Sequence, residues 1–306
     1  MPEFQLYQKR NFNAYINDCI QFFKLFGKNY FKNYITINGA LLLVLSALYY
    51  FTFRDLFGNM MHPETANDWL LSDNNIFLVT ILFLLFFLVS IASSILSIGQ
   101  PIVYVKLFEK TGRNDFTASE ILQEILKIAG KIIVFGLISF FILFPVIMVY
   151  MLLSMGLSLI LVGIPLLIIG FPALMVLSIQ ALIVYIYEDA GYFEALGKAW
   201  KILFSNFWHI VGSSIIIYIF VSIVQSAIFM VPYFMMMASF ISSGSNLDAF
   251  EFPPSMVFLY VLGMVVTYLM LNIFYIQQTL VYYSAIEDIE HLQAISEIDN
   301  IGGNEA

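Results

Sequence analysis

Residues 132–187 read IIVFGLISFFILFPVIMVYMLLSMGLSLILVGIPLLIIGFPALMVLSIQALIVYIY and contain no Asp, Glu, Lys or Arg. A transmembrane helix needs only about 20 apolar residues to cross a hydrocarbon layer about 30 Å thick. A soluble domain could not bury an uncharged stretch of this length. The stretch therefore predicts two membrane-crossing helices joined by a short turn.

The rest of the chain has the same character. Hydrophobic residues make up 61% of the 306 residues and charged residues only 11%, against about 25% charged in typical soluble domains. We predict six crossings, at about residues 34–53, 76–105, 132–153, 157–187, 207–237 and 255–284. These blocks lack the alternating polar and apolar residues of β-barrel strands, and backbone N–H and C=O groups in lipid must be paired within the protein. The sequence therefore predicts an all-α polytopic membrane protein made of three helical hairpins.

The basic residues predict the topology. All but one of the 13 Lys and Arg residues precede the first crossing or lie between crossings two and three or four and five, whereas only Arg54 lies on the opposite side. The positive-inside rule therefore places both termini in the cytoplasm. We expect a cytoplasmic amphipathic helix at 1–33, a transmembrane domain at 34–286 and an acidic cytoplasmic tail at 287–306. The tail is expected either to be solvated or to dock on basic helices.

A threefold pattern precedes the odd-numbered crossings. The motif Phe-X-Ala begins at Phe12, Phe116 and Phe193, and each copy leads through an amphipathic segment into a crossing. Lysines beside an aromatic apolar face are typical of helices that lie in the headgroup plane. In the second copy, Thr117 and Glu120 predict a capping box. We interpret the pattern as three copies of one unit, an interfacial helix followed by a hairpin. The alternative is that any chain entering a membrane shows such a gradient from polar to apolar.

Residues 186–212 read IYEDAGYFEALGKAWKILFSNFWHIVG. This segment resembles a broad family of bacterial six-helix membrane proteins that are related to the membrane domain fused to some glycerophosphodiester phosphodiesterases. The residues that carry the resemblance are Glu188, Asp189, Phe193, Ala199, Trp200, Asn206, Phe207 and Trp208. The segment from Tyr282 to Glu287 is similar more loosely. The resemblance implies a six-helix membrane fold, and it brings no established catalytic residues and no cofactor.

Uncharged polar residues are the main candidates for chemistry inside the crossings. Ionisable residues there would indicate ion or proton traffic, and the six blocks contain essentially none. The polar residues are Gln100, Gln180, Gln225, Asn272, Gln277 and Gln278. We interpret them as hydrogen-bonding links between helices. The alternative is that Gln100, Gln180, Gln225 and Asn272 line a central cavity for a neutral or lipidic solute.

The prolines of the uncharged stretch have two interpretations. Pro145, Pro165 and Pro172 could break helices at the centre of the membrane, where transporters expose backbone carbonyls to their cargo. Proline is also common in ordinary membrane helices, and residues 163–165 could mark the outer turn.

The predicted outer loops contain two further candidates. Met60, Met61 and His62, with the methionines at 235–237, offer ligands suited to Cu(I), although methionine is also an apolar filler. His62 with Glu64 and Asp68 could form an acid–base group acting on lipid headgroups, although a solvated loop explains these residues better. His209, beside Trp208, is expected at the membrane interface.

These patterns favour a non-enzymatic component of the inner membrane. It would serve as a scaffold, as a subunit of a membrane assembly or as a lipid-organising protein. We expect membrane lipids and a membrane protein or a second copy of the chain as partners, no cofactor, and no nucleic acid. The alternatives are a facilitator or transporter of a neutral or lipidic solute and a membrane enzyme acting on lipid headgroups.

Overall fold

The computed structural model describes residues 4–60, 73–242 and 254–290, and these residues form helices and no strand. The helices are α1 (Phe12–Met60), α2 (Asp73–Thr111), α3 (Ala118–Leu157), α4 (Gly163–Tyr187), α5 (Tyr192–Ser205), α6 (Phe207–Ser242) and α7 (Pro254–Glu290). All except α5 contain a segment that is long and apolar enough to cross a membrane. The predicted all-α polytopic fold with six crossings is therefore confirmed.

The chain divides into two compact units. Unit 1 comprises residues 1–33, 98–219 and 272–306, and unit 2 comprises residues 34–97 and 220–271. Helices α3, α4 and α5 belong wholly to unit 1, whereas α1, α2, α6 and α7 contribute residues to both units.

Side-chain caps fix where α1 and α3 begin. The Asn11 side chain accepts a hydrogen bond from the backbone N–H of Ala14 at 2.9 Å. Before α3, Thr117 and Glu120 form the predicted capping box, in which each side chain accepts from the backbone N–H of the other residue. Such caps pair the N–H groups that the first helical turn leaves free.

Two of the three expected interfacial helices are continuous with their crossings. Helix α1 runs unbroken for 49 residues, and α3 for 40 residues. No proline interrupts the junction between the amphipathic and the apolar part in either helix, so the hydrogen-bond ladder continues. The separate interfacial helix that was expected occurs only in the third copy, as α5.

Asn206 separates α5 from α6. Its backbone leaves the helical region (φ −149°, ψ 55°), and its side-chain oxygen lies 2.6 Å from Nδ1 of His209. The backbone N–H of Ile210 donates to the Asn206 carbonyl at 3.0 Å, which starts the next helix. The three Phe-X-Ala copies also differ in register, since Phe116 precedes the cap of α3 whereas Phe193 lies inside α5. The internal repeat stays a prediction.

The turn between α3 and α4 lies later than expected. Helix α3 continues to Leu157, and residues 158–162, which we call the hairpin tip, connect it to α4. Leu161 has a positive φ of 63°. A Cβ atom on Gly163 would collide with the Ser154 carbonyl, so this close approach requires glycine. Helix α3 is continuous through Pro145.

A π-helical turn lies near the start of α4. It spans Leu166–Gly170 and ends two residues before Pro172, which has no N–H to donate to the helix ladder. The Tyr150 hydroxyl of α3 donates to the Leu166 carbonyl at 2.6 Å, and a Cβ atom on Gly170 would collide with that hydroxyl. A side chain of the neighbouring helix therefore pairs a carbonyl of the irregular turn.

Candidate functional site

Five polar side chains of α4, α6 and α7 form a buried cluster in unit 1, which we call the amide cluster. Its members are Gln180, Ser213, Ser214, Gln277 and Gln278, and all are at most 1% exposed. Gln180 Nε2 donates to the backbone carbonyl of Gln278 at 2.8 Å and to its side-chain oxygen at 3.1 Å. Gln278 Nε2 donates to Ser214 Oγ at 2.9 Å. The cluster thus links three crossings through hydrogen bonds made among its own members.

A second polar contact in unit 1 involves Gln100 and Asn272. Gln100 Nε2 donates to the backbone carbonyl of Tyr30 at 3.1 Å, and the Tyr30 hydroxyl donates to Asn272 Oδ1 at 2.5 Å. Gln225 belongs to unit 2, where it is half-buried. The four residues considered for a common cavity therefore divide among the Tyr30 contact, the amide cluster and unit 2.

Unit 2 contains buried polar groups of another kind. The Tyr34 hydroxyl lies 2.8 Å from Ser97 Oγ, which joins α1 to α2. Asn38 lies one helical turn after Tyr34 on α1, and Ser93 lies one helical turn before Ser97 on α2. Both side chains are 0% exposed. Within the described part of the chain, neither the Asn38 amide nor the Ser93 hydroxyl has a hydrogen-bond partner. Because consecutive crossings run in opposite directions, these two unpaired residues lie at the same level of the two helices.

Arg10 anchors the segment before α1, residues 4–11, which we call the N-terminal strap. Its guanidinium is fully buried, and Nε donates to Asp18 Oδ2 at 2.8 Å. The other nitrogens donate to the backbone carbonyls of Leu6 and Gln5, each at 2.7 Å. Burial lowers the pKa of Arg10, and the hydrogen bond to Asp18 opposes that shift.

Two carboxylates, Glu109 and Glu188, accept hydrogen bonds from tyrosines, and we call this group the carboxylate network. Glu109 accepts from the hydroxyls of Tyr7 and Tyr283, the latter at 2.8 Å. Burial, reinforced by the Glu109 contact, raises the pKa of Tyr7 above its ordinary value. Tyr7 is therefore a protonated hydrogen-bond donor at neutral pH and tethers the N-terminal strap to α2.

Glu188 provides the second half of the carboxylate network. It accepts from the Tyr282 hydroxyl at 2.8 Å and pairs with Lys198 at 2.9 Å. Lys198 also pairs with Glu290 at 3.1 Å. Burial lowers the pKa of Lys198, because it disfavours the charged form. The hydrogen bonds to Glu188 and Glu290 raise the pKa by more, so the pKa of Lys198 lies above its ordinary value. The structure thus joins the Glu-Asp motif at 188–189 to the Tyr-Tyr motif at 282–283.

Asp189 turns the chain between α4 and α5. It adopts a positive φ of 57°, which aspartate tolerates better than most residues. Its carboxylate accepts from Lys131 of α3 at 2.6 Å. This hydrogen bond holds the pKa of Asp189 below its usual range.

A series of aromatic rings, three exposed and one half-buried, runs from α5 into α6. Trp200, Phe204, Phe207 and Trp208 follow one another with ring centres 4.6–5.3 Å apart, and we call them the aromatic ladder. Trp200 and Trp208 are exposed, as is Phe193 near the start of α5, whereas Ala199 is fully buried. The motif of residues 188–208 therefore divides into a turn (Glu188, Asp189), a buried contact (Ala199), a cap (Asn206), three exposed rings (Phe193, Trp200, Trp208) and one half-buried ring (Phe207).

An open cleft of about 680 Å³ lies beside the N-terminal strap. Its walls include Phe4, Tyr7, Lys24, Phe108 and Glu109. It presents one cation and one carboxylate, and both oxygens of that carboxylate already accept hydrogen bonds from tyrosines.

Part of the outer-loop chemistry lies outside the described residues. His62, Glu64, Asp68 and Met61 fall there, as does the side chain of Met60. Met235, Met236 and Met237 lie within α6. Among the residues that the structure describes, no group of three or more His, Cys, Asp or Glu side chains could hold a metal ion.

No protein-family model, curated protein or solved structure matches this chain. Its function must therefore be argued from its own contacts.

Those contacts indicate a structural role for most of the polar groups. Glu109 and Glu188 are held by tyrosine and lysine donors, and the amide groups of Gln100 and of the amide cluster donate to backbone carbonyls, to serine hydroxyls or to one another. The Asn38 amide is the exception among the buried amides that the structure describes. Sequence reasoning missed the burial of Arg10 and the role of Tyr30, because a lone charge or ring in an amphipathic segment does not indicate what it touches. Asp18, two helical turns beyond Arg10, and the adjacent serines 213 and 214 were the available signals.

Proposed function

We propose that this protein is a non-enzymatic component of the bacterial inner membrane, with both termini in the cytoplasm. It acts as a scaffold or subunit of a membrane assembly and contacts lipid at the inner interface. The observation that carries the proposal is the amide cluster. Its polar side chains bind one another at 1% exposure or less instead of facing an open passage.

The surface of the crossings supports this role. In α2, only 6% of the most apolar window is buried within the protein, against 44% in α4. Phe77, Phe83 and Phe87 of α2 are all exposed. In a membrane such a surface is covered by acyl chains or by another membrane protein, and close packing is the main force between helices there.

The aromatic ladder supports contact with the inner interface. Tryptophan is enriched at the boundary between headgroups and acyl chains. Lys201 of α5 lies beside Trp200, and basic residues on such a helix favour anionic lipids. The resemblance of residues 186–212 to bacterial six-helix membrane proteins is consistent with this role and brings no enzyme activity with it.

Site-specific photo-crosslinking in native membranes tests the proposal. A benzophenone amino acid replaces Phe83, Phe141, Phe220 or Phe258, which are exposed aromatic residues on four different crossings. We expect one or two positions to give a product of defined mass, either twice 35.0 kDa or the chain with one other protein, that survives mild detergent extraction. The other positions serve as matched controls and should label only lipid. Lipid adducts at all four positions, with a monomer after extraction, would contradict the proposal.

A second candidate function is supported by Asn38 and Ser93. A facilitator of neutral solutes needs buried hydrogen-bonding groups that are not paired within the protein, and these two residues of unit 2 have no partner among the residues that the structure describes. Proteoliposomes that swell in glycerol or urea faster than protein-free vesicles, and lose this property with Asn38→Leu, would favour this candidate over the scaffold. Swelling rates equal to those of protein-free vesicles would exclude it for these solutes.

A further inference from the structure

The hairpin tip between α3 and α4 exposes four consecutive apolar side chains. Leu159, Ile160, Leu161 and Val162 follow one another, and all are exposed, Leu159 by 89%. The remaining residue, Ser158, turns its hydroxyl inward and donates to the Ser154 carbonyl at 2.8 Å. Four adjacent aliphatic side chains in contact with water would be strongly unfavourable.

The two other loops that are predicted on the same side of the membrane differ from the hairpin tip in composition. The connection between α1 and α2 contains Glu64 and Asp68, and that between α6 and α7 contains Asp248 and Glu251. The hairpin tip contains no charge, and none occurs between Lys131 and Glu188. Its sequence therefore lacks the groups that would favour an aqueous position.

The helix lengths fit a tip that stays within the bilayer. The Lys131–Asp189 ion pair marks the polar end of the α3–α4 hairpin. From Ile132 to Leu157, α3 rises about 39 Å, and the 25 residues of α4 rise about 38 Å. A bilayer with its headgroups is about 40–45 Å thick, and a typical tilt of about 20° shortens the reach further. With the ion pair at one surface, the tip ends inside the opposite leaflet.

The backbone of the turn is suited to an apolar environment. Lipid offers no hydrogen bonds, so irregular backbone must be paired by the protein. The N–H of Ser158 points to carbonyls of the last turn of α3, and the N–H of Leu161 donates to the Ser158 carbonyl at 3.1 Å. Tyr150 pairs the Leu166 carbonyl of the π-helical turn. These contacts are made within the hairpin itself.

A groove of about 610 Å³ adjoins the tip. It is lined by residues 160–162, Pro165, Leu166 and residues 169–170, none of which has a polar side chain. Its lining suits hydrocarbon and offers nothing to hold water.

From these observations we propose that the hairpin tip is a lipid-embedded element. It remains in the leaflet opposite the Lys131–Asp189 ion pair, and its groove takes acyl chains of membrane lipids. The α3–α4 hairpin then crosses the hydrocarbon layer without emerging into water. This inference does not depend on the scaffold function proposed above, because it concerns only the surroundings of residues 158–170.

Spin-label accessibility in proteoliposomes tests the proposal. The sole cysteine, Cys19, is replaced by alanine, and a nitroxide is attached at Leu159→Cys. Two matched positions calibrate the result: Phe141→Cys, exposed on the apolar part of α3, and Asp115→Cys, exposed in the polar connection before α3. Dissolved oxygen concentrates in acyl chains, whereas a neutral nickel chelate stays in water. Because all three side chains are exposed, the substitutions should leave the fold intact.

We expect the label at residue 159 to behave like the label at residue 141. Its ratio of oxygen to nickel accessibility should be several-fold above that of the label at residue 115. High nickel accessibility at residue 159 would place the tip in water and overturn the proposal. Low accessibility to both reagents would overturn it as well, since a protein surface would then cover the tip.

Discussion

The amide cluster of unit 1 and the Asn38–Ser93 pair of unit 2 use the same chemistry with opposite outcomes. Both consist of amide and hydroxyl side chains on membrane-crossing helices, and both are at most 1% exposed. Every cluster side chain makes a hydrogen bond within the cluster, although Gln180 Oε1 is left unpaired, whereas Asn38 and Ser93 have no hydrogen-bond partner among the described residues. A polar residue in a crossing therefore has no fixed effect on stability. Its neighbours decide whether it strengthens or weakens the packing.

The largest effect is expected where the paired group is charged. Arg10→Ala removes a buried guanidinium and leaves Asp18, which is only 15% exposed, without its partner. Breaking a buried ion pair costs about 3–5 kcal/mol. We expect the free energy of unfolding to fall by this amount in a denaturation titration in mild detergent.

Lys9→Ala is the matched control for Arg10→Ala. Lys9 is the neighbouring cation and pairs with Asp288 at 3.2 Å, but its side chain is 60% exposed. An exposed ion pair contributes at most about 1 kcal/mol. Equal losses from the two variants would show that the burial of Arg10 does not matter.

Next in size is a substitution inside the amide cluster. Gln278→Leu removes the donor to Ser214 and the side-chain acceptor of Gln180. Hydrogen bonds between membrane helices contribute roughly 0.6–1.7 kcal/mol each, so we expect a loss of about 1–2 kcal/mol in the same titration. Gln225→Leu in unit 2, at a half-buried position, should change stability by less than about 0.5 kcal/mol. A neutral Gln278→Leu would mean that the cluster adds nothing to stability.

Asn38→Leu should act in the opposite direction. It replaces a buried amide, which has no partner in the described part of the chain, with an apolar side chain of similar volume, and an unsatisfied polar group costs roughly 1–3 kcal/mol. We expect a gain of about 1 kcal/mol in the free energy of unfolding. A loss of stability together with slower glycerol swelling would instead favour the solute-facilitator function.

The sequence predicted the architecture well because the bilayer imposes few solutions. The uncharged residues 132–187 required two crossings, and the structure has α3 and α4 there. The capping box at Thr117 was also readable, because it depends on two residues three positions apart. Both signals are local or compositional.

The details that the sequence did not specify depend on contacts or on single residues. The first two interfacial segments continue into their crossings, since neither helix contains a break in the backbone like the one at Asn206. The pairing of Gln180 with Gln278 and the lack of a partner for Asn38 depend on which helices become neighbours. The side chains of a crossing are apolar on nearly every face, so the pattern does not specify how the helix is rotated about its own axis or which residues face a neighbouring helix. A polar residue is therefore visible in the sequence, whereas its pairing is not.

The smallest effect on stability is expected at an exposed ion pair, Lys131 and Asp189. Its contribution can be compared with those of the buried polar contacts. The hydrogen bond from Lys131 lowers the pKa of Asp189 in the folded protein relative to the unfolded chain, where it is about 3.9. The contribution to stability is therefore present above about pH 4 and is lost as the pH falls through the folded pKa. We expect Asp189→Asn to be slightly less stable than the parent protein at pH 6 and the difference to vanish at acidic pH. Thermal midpoints of both proteins between pH 6 and pH 3 measure this, and a difference that stays constant with pH would indicate that Asp189 acts through its backbone turn and not through its charge.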